Sequence, residues 1–403
     1  MERVEAAVRR AVDLLGGMGA YVRPGQRVLL KPNLVRPAAP ERAVSTHPAV
    51  VAAVARLVAE AGGHAVIVES PGGPYSSGVL RSLYRRTGMD RAAEASGAEL
   101  NEDTSAQQVS LPEGVALRRL DVVQPALDAD VIINLPKLKT HNLTTLTLAV
   151  KNLFGLVPGA TKIGYHAKLA DRALFSQGML DILVYLRPTL HIMDAVLAME
   201  GNGPSGGDPR QVSTVLASPD ALALDVAAAA LVGFDPLGVS TTAAAVERGL
   251  TTGGVEDLDL LGEPLDELRV AGFRRGINAA VDPGLVPHWA VRFLGADGEH
   301  QTLFQAVSTG WLGKQLVAYP RAGGACTGCG FCTRHCPVNA ITVVDHRARM
   351  DTRACIRCYC CHEFCPVKAI RLRRSRVDRI FHVNALAGLL ARFGERLRAR
   401  RRS

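Results

Sequence analysis

The first 325 of the 403 residues contain no cysteine, and all nine cysteines lie between Cys326 and Cys365. A fold held by scattered disulfides is thereby excluded, and one short segment is set aside for thiolate chemistry. No apolar run reaches the ~18 residues that a membrane-spanning helix needs. The opening MERVEAAVRRAVDLLGG reads as an amphipathic helix carrying acids, without the apolar region and cleavage site of a secretory signal. Aromatic residues make up 5% of the chain, and lysine is scarce, with 8 Lys against 39 Arg. The whole is 48% hydrophobic and 21% charged, which excludes a disordered chain and leaves core enough for two or three domains.

The net charge of +9 is local. Residues 366–403 carry 12 Lys+Arg against 2 Asp+Glu, while the rest of the chain carries 35 against 36. Basicity therefore belongs to the tail. Without stacking aromatics or a nucleic-acid-binding module, no nucleic-acid partner is expected.

The body alternates apolar runs with helical stretches. Arg27–Lys31 reads as a strand ending in Lys31-Pro32-Asn33. A helix capped by Ser45/Thr46 follows, then a strand at His64–Glu69, a helix over Val79–Ser96 and a strand at Asp130–Leu135. Thr144–Leu153 reads as a helix, Thr189–Ala195 as a strand, and Val212–Ala217 with Ala221–Leu231 as a strand-helix unit. Nearly continuous apolar strands between helices predict an α/β fold with a largely parallel sheet, whose ligands bind beyond the carboxyl ends of the strands. The expected organisation is an α/β domain over 1–318, a small cysteine domain over 319–370 and a basic amphipathic tail helix over 371–403.

The cysteines fall into two runs, Cys326-x2-Cys329-x2-Cys332-x3-Cys336-Pro337 and Cys355-x2-Cys358-x2-Cys361-x3-Cys365-Pro366. Each is the bacterial ferredoxin pattern, in which the fourth cysteine of one run ligates the cluster of the other. Two [4Fe-4S] clusters are expected: Cys326, Cys329, Cys332 and Cys365 hold the first, and Cys355, Cys358, Cys361 and Cys336 the second. Paired C-x2-C motifs also make zinc sites, but zinc needs neither the third close cysteine nor the proline. Between the runs, a hairpin turning near Asp345-His346 is expected. Cys360 is the ninth thiol, read as packing or as a redox group.

Where lysine persists against so strong an arginine bias, its compact ammonium or movable pKa is a reason to keep it. Lys31 and Asn33 end one expected strand; Asn134, Lys137, Lys139 and His141 end another; Lys151 and Asn152 follow on the next helix. Lys162, Lys168 and His166 lie just beyond. As parallel neighbours, these ends would line one crevice suited to a carboxylate or phosphate with an adjacent carbonyl. Lys137, Lys139, His141 and Lys151 are the candidate catalytic groups. Lys31, Asn33, Asn134, Asn152, Glu200 and Asn202 are the candidate substrate contacts, and Asp194 is a further carboxylate at the same end. Gly201-x-Gly203-x-x-Gly206 matches a dinucleotide fingerprint, but a strand is expected to follow it where that fingerprint needs a helix. It reads instead as a mobile loop over the site.

In the tail, Val383, Leu386, Leu390, Phe393 and Leu397 make one helical stripe ending in arginines. Such a helix docks on its own body, on an anionic membrane surface or on an acidic redox partner.

In combination, Lys31-Pro32-Asn33-Leu34, Thr46-His47-Pro48, Leu135-Pro136-Lys137-Leu138-Lys139-Thr140-His141, Val150-Lys151-Asn152-Leu153-Phe154-Gly155 and Glu200-Gly201-Asn202-Gly203-Pro204 resemble the family known as domain of unknown function 362. Many members of that family carry a C-terminal double-cluster ferredoxin module. The resemblance implies a cytoplasmic iron–sulfur protein and no particular reaction. The expected function is an oxidoreductase passing electrons from the clusters to an anionic substrate or cofactor in the lysine-lined crevice, served by an electron-donor partner. The alternatives are a non-catalytic electron carrier or maturation factor, and a non-redox enzyme with structural clusters.

Overall fold

The computed structural model describes residues 2–159, 161–169, 172–276, 318–363, 365–375, 379–380 and 382. The connection at 277–317 and the apolar stripe of the tail lie outside the described residues.

Fourteen strands are described: β1 (Arg27–Pro32), β2 (His64–Ile67), β3 (Glu99–Leu100), β4 (Ala106–Ser110), β5 (Arg119–Val123), β6 (Val131–Leu135), β7 (Lys137–His141), β8 (Thr145–Thr147), β9 (Leu190–Glu200), β10 (Asp208–Ser218), β11 (Tyr319–Ala322), β12 (Ile341–Val344), β13 (Arg347–Met350) and β14 (Ile370–Arg373). The main sheet runs β3-β2-β1-β6-β9-β7-β8, with β10 paired to β9. Its pairs are parallel except β7/β8 and β9/β10. The chain moves outward from β1 through β2 and β3, then returns to place β6 on β1's other side. Strand order reverses at that point, and in open α/β sheets the crevice there binds ligands.

Both faces of this sheet are covered, which is why Val28, Leu29 and Leu30 of β1 are apolar in succession rather than in alternation. Leu29 packs into one core with Val66, Leu146, Val150 and Phe175, while Val28 and Leu30 pack into the other with Val51, Val54 and Ile133. Truncating Leu30, fully buried, to Ala would cost ~2–5 kcal/mol.

The strands expected at Thr189–Ala195 and Val212–Ala217 are longer, as β9 and β10, and three further boundaries differ from expectation for local reasons. The helix after β1 spans Pro48–Glu60 and is capped by the His47 ring, which accepts from the Ala49 amide at 3.1 Å. Thr46 is used elsewhere: its Oγ1 accepts from Asn33 N and donates to Leu135 O, tying the ends of β1 and β6 together. The expected Val79–Ser96 helix breaks at Gly88, φ 75, into Ser77–Thr87 and Met89–Ser96. The expected Thr144–Leu153 helix is helical only from Ala149 (Ala149–Asn152), because β-branched Thr145 and Thr147 pair as β8 with β7.

The cysteine segment forms its own small core, with β11 antiparallel to β14 and a hairpin of β12 and β13. The hairpin turns on Asp345 and His346, φ 50 and 53, the left-handed pair of a two-residue turn. This module docks on the sheet domain. A Cβ on Gly73 would come within 3.0 Å of the Phe331 ring, and one on Gly206 within 3.2 Å of the His362 ring.

Candidate functional site

At the switch point, the ends of β1 and β6 are stitched by amides. Asn152 donates to Lys31 O (3.0 Å) and Asn134 Oδ1 (2.8 Å), and accepts from Asn33 Nδ2 (2.8 Å). Asn134 donates in turn to Ala149 O, and its Nδ2 is 3.0 Å from His191 Nδ1. Beneath this layer the lysines are paired inside the fold. Lys31 Nζ lies 3.0 Å from Glu69 and donates to Pro32 O; Lys137 Nζ lies 2.6 Å from Asp194; Lys139 Nζ donates to Asn33 Oδ1 and Val44 O, both at 2.6 Å. All three are completely buried. Burial pushes the Lys31 and Lys139 pKa values down, Lys139 strongly.

The expected crevice is therefore placed differently. Lys31, Lys137, Lys139 and Asn134 form a closed polar floor, because polar groups buried between covered faces must bond within the fold, Lys31 and Lys137 to carboxylates and Lys139 to neutral oxygens. Glu200 is engaged by Arg274 at 2.7 Å and Asn202 is exposed; neither lines the cavity. The glycine loop also differs from a mobile cover. A Cβ on Gly203 would fall 1.9 Å from Thr140 O, and Asn142 Nδ2 donates to Gly203 O at 2.7 Å, so the loop is packed on β7.

Above the floor lies a cavity of about 560 Å³, counting its open mouth. Its walls include Asn33, Glu69, Ser70, His141, Lys151, Asn152, Phe154, Lys162, His166, Pro204 and Glu363. Of the expected site residues it gathers Asn33, His141, Lys151 and Asn152. Glu69, Ser70, Phe154 and Glu363 were not anticipated. Glu363 is the notable addition, since it belongs to the cysteine module. A carboxylate between two ligand cysteines, where cluster charge disfavours it, was the available signal.

The cavity's chemistry follows from burial. Lys151 Nζ has no hydrogen bond or ion pair among the described residues. It sits 4.9 Å from the Phe154 ring centre and 5.5 Å from that of Phe175, and burial lowers its pKa. Lys162 donates to Ser70 O and is lowered by burial to about 7. Burial likewise lowers His166 to about 3; its ring stacks on Phe175 at 4.8 Å. His141 Nδ1 accepts from the amides of Leu143 (3.0 Å) and Thr144 (3.3 Å), which leaves the ring proton on Nε2. That atom faces Glu363 Oε1 at 3.8 Å, beyond hydrogen-bond reach. Burial raises Glu363 to about 7, against the pull of Lys151 and Lys139.

In the module, a second cavity is lined by Cys326, Cys329, Cys332 and Cys365 together, with about 320 Å³ including its mouth. Burial raises the pKa of Cys361, and Cys358, Cys355, Cys332 and Cys336 close by raise it further. The amides of Ala348, Ala340 and Ala369 donate to the sulfurs of Cys326, Cys336 and Cys365 at 3.4, 3.2 and 3.2 Å. Among the described residues no three ligating side chains converge as one ion would require. Thiols spread around a volume and aimed at by amides fit a cluster. Cys360 is buried, 4.0 Å from Cys358 O.

No helix among the described residues is long and apolar enough to cross a membrane. A thylakoid-associated protein of Synechocystis sp. (strain ATCC 27184 / PCC 6803 / Kazusa) is 40% identical over 252 residues, covering 62% of this chain and 77% of the relative. The lactate racemase apoprotein from Thermoanaerobacterium thermosaccharolyticum matches with a TM-score of 0.36 and 13% identity, over 54% of this chain and 52% of that one. A structural-genomics protein from Thermotoga maritima matches with a TM-score of 0.34 and 13% identity, over 55% of each chain. The chain thus spans about half the length of these two solved structures. Residues 321–366 match a 4Fe-4S dicluster domain, which makes this an iron–sulfur protein. Residues 28–230 match the domain of unknown function DUF362, and the chain belongs to that family.

Proposed function

We propose that this chain is an iron–sulfur oxidoreductase whose reaction takes place in the cavity between the sheet domain and the cysteine module, on a small carboxylate- or phosphate-bearing substrate. Two [4Fe-4S] clusters would be held by the crossed sets, Cys326, Cys329, Cys332, Cys365 and Cys355, Cys358, Cys361, Cys336. When bound, they supply electrons singly at low potential. The observation that carries the reading is Glu363: a residue between Cys361 and Cys365 forms part of the cavity wall, so substrate and clusters share a boundary.

The side chains divide the remaining work. Lys151, which makes no ion pair among the described residues, binds the substrate's negative group, and Phe154 and Phe175 exclude water around it. Lys162 adds positive charge in its protonated form. Nε2–H of His141, whose ring is kept neutral by burial, is a hydrogen-bond donor aimed into the cavity, and Glu363, raised by burial to about 7, is the group that can carry a proton there. Asn152, with both N–H groups spent in the floor, holds Asn33 in place, and the second N–H of Asn33 is left to offer to a carbonyl. The reading places the chain in the cytoplasm, with the arginine-rich tail as a contact for an anionic membrane surface.

Reduction with dithionite followed by addition of small keto, enoyl and phosphorylated acids tests this. The expected result is return of the clusters' visible absorbance with one acid class, and its loss in Lys151→Met. Reoxidation by none, or equally in the variant, favours a carrier whose sheet domain only binds.

A further inference from the structure

We infer that the solvent-facing rim of the cysteine module around Cys329 is the docking surface for a small acidic electron-carrier protein of the ferredoxin class. The inference rests on the electron-transfer reading above and adds where electrons come in.

Cys329 is the one exposed thiol of the nine. Around it lies an apolar patch: Val343 and Val367, which line the same cavity, are 37% and 42% exposed, and neighbouring Val344 is 48% exposed. Three exposed cations stand at this rim, Arg334 and Arg347 held by their guanidinium groups and Lys368 placed by its backbone amide. Arg334 Nη1 donates to Cys329 O at 3.3 Å. Arg347 Nη2 donates to Ala322 O at 3.1 Å, and the next amide, of Ala348, donates to Cys326 Sγ. Lys368 N donates to Cys365 O at 3.1 Å. None of the three has an ion-pair partner among the described residues. Across residues 318–375, nine exposed Lys and Arg stand against two exposed acids, and the third acid, Glu363, faces the other cavity.

An apolar centre with a charged rim, small in area, is the anatomy of a transient protein interface. Cations of one sign speed encounter with an acidic partner and weaken with salt. An anionic membrane would be met by the cations alone and gives no reason for a thiol ligand and valines at the centre. One electron leaves the carrier's reduced centre and one is taken up within the ring of Cys326, Cys329, Cys332 and Cys365; no bond forms or breaks.

The test is calorimetric titration of the full, cluster-loaded chain with a purified acidic [2Fe-2S] ferredoxin. Binding at low salt should weaken at least about tenfold at about 300 mM salt, and by about tenfold in Arg334→Glu/Lys368→Glu. Iron content and reduction by dithionite, which needs no docking, should be unchanged in that variant. Equal binding by the variant, or none by the wild type at low salt, overturns the proposal. So does loss, on charge reversal, of binding to anionic phosphatidylserine vesicles with ferredoxin binding intact, which makes the rim a membrane contact. Failure here with acid-driven reoxidation intact leaves the cavity reading standing. Salt-dependent ferredoxin binding without reoxidation does the reverse.

Discussion

Oε1 of Glu363, a residue of the cysteine module, stands 3.8 Å from Nε2 of His141, the last residue of β7 in the sheet domain. The two side chains come from segments more than 200 positions apart and are both nearly sealed from solvent. Neither bonds the other, so a ligand oxygen seated beside the pair, within hydrogen-bond distance of both, would meet a ring N–H and a carboxyl. His141→Gln and Glu363→Gln should each slow acid-driven reoxidation by about a hundredfold or more with iron content unchanged, as loss of a positioned hydrogen-bond donor or proton donor does. Their effects should be less than additive in the double variant, which stopped-flow absorbance would show.

Lys162 sets a pH dependence. Its pKa falls from 10.5 to about 7 on burial. Between those values the unfolded chain holds the proton and the folded chain does not, so stability should rise with pH across that window. Below about 7 the folded group is charged as well, and the slope should vanish. Lys162→Met should flatten the rise, as read by denaturant melts from pH 6 to 10. Because an anion favours the charged lysine, oxalate affinity should fall as pH climbs through about 7, and should do so less in Lys162→Met.

The buried pair of Lys137 and Asp194, 2.6 Å apart, is structural. Removing one partner strands a charge: Lys137→Met or Asp194→Asn alone should cost ~3–5 kcal/mol. Lys137→Met/Asp194→Leu should recover much of that loss. Chemical denaturation of the three variants checks this, and near-equal costs for single and double changes would disprove it.

These lysines also show how far the sequence could be read. Retention of lysine in an arginine-rich chain pointed to one end of the sheet, and Lys31, Lys137, Lys139 and Lys151 do gather there. It could not separate a lysine with a hidden carboxylate partner from one without. Glu69 and Asp194 sit 38 and 57 positions from the lysines they neutralise, and only the strand order brings them together. The two cysteine runs and the Asp345-His346 turn were legible because they depend on neighbours in sequence. Glu363 was not, because its importance lies in the docking of one domain on another. The β8 strand was hidden by a run that suits helix and strand alike until β7 is there to pair with it.

The crossed ligand sets predict paired losses. Cys365→Ala should reduce bound iron from about eight to about four per chain. Adding Cys329→Ala to it should cost little more, since both serve one cluster, whereas adding Cys358→Ala should remove the rest. Iron and sulfide analysis of anaerobically purified protein separates these outcomes. Near-complete loss in Cys365→Ala/Cys329→Ala, or zinc in place of iron, would contradict the assignment.

The central claim is that the cavity and the clusters form one site, and redox potentiometry with a bound anion tests it most directly. Oxalate, with its binding confirmed by calorimetry, should lower the midpoint potential of one cluster by on the order of tens of millivolts, since negative charge nearby opposes electron uptake. Lys151→Met should bind oxalate more weakly and lose the shift. Oxalate bound with both potentials unmoved, or a shift that Lys151→Met leaves intact, would contradict the account.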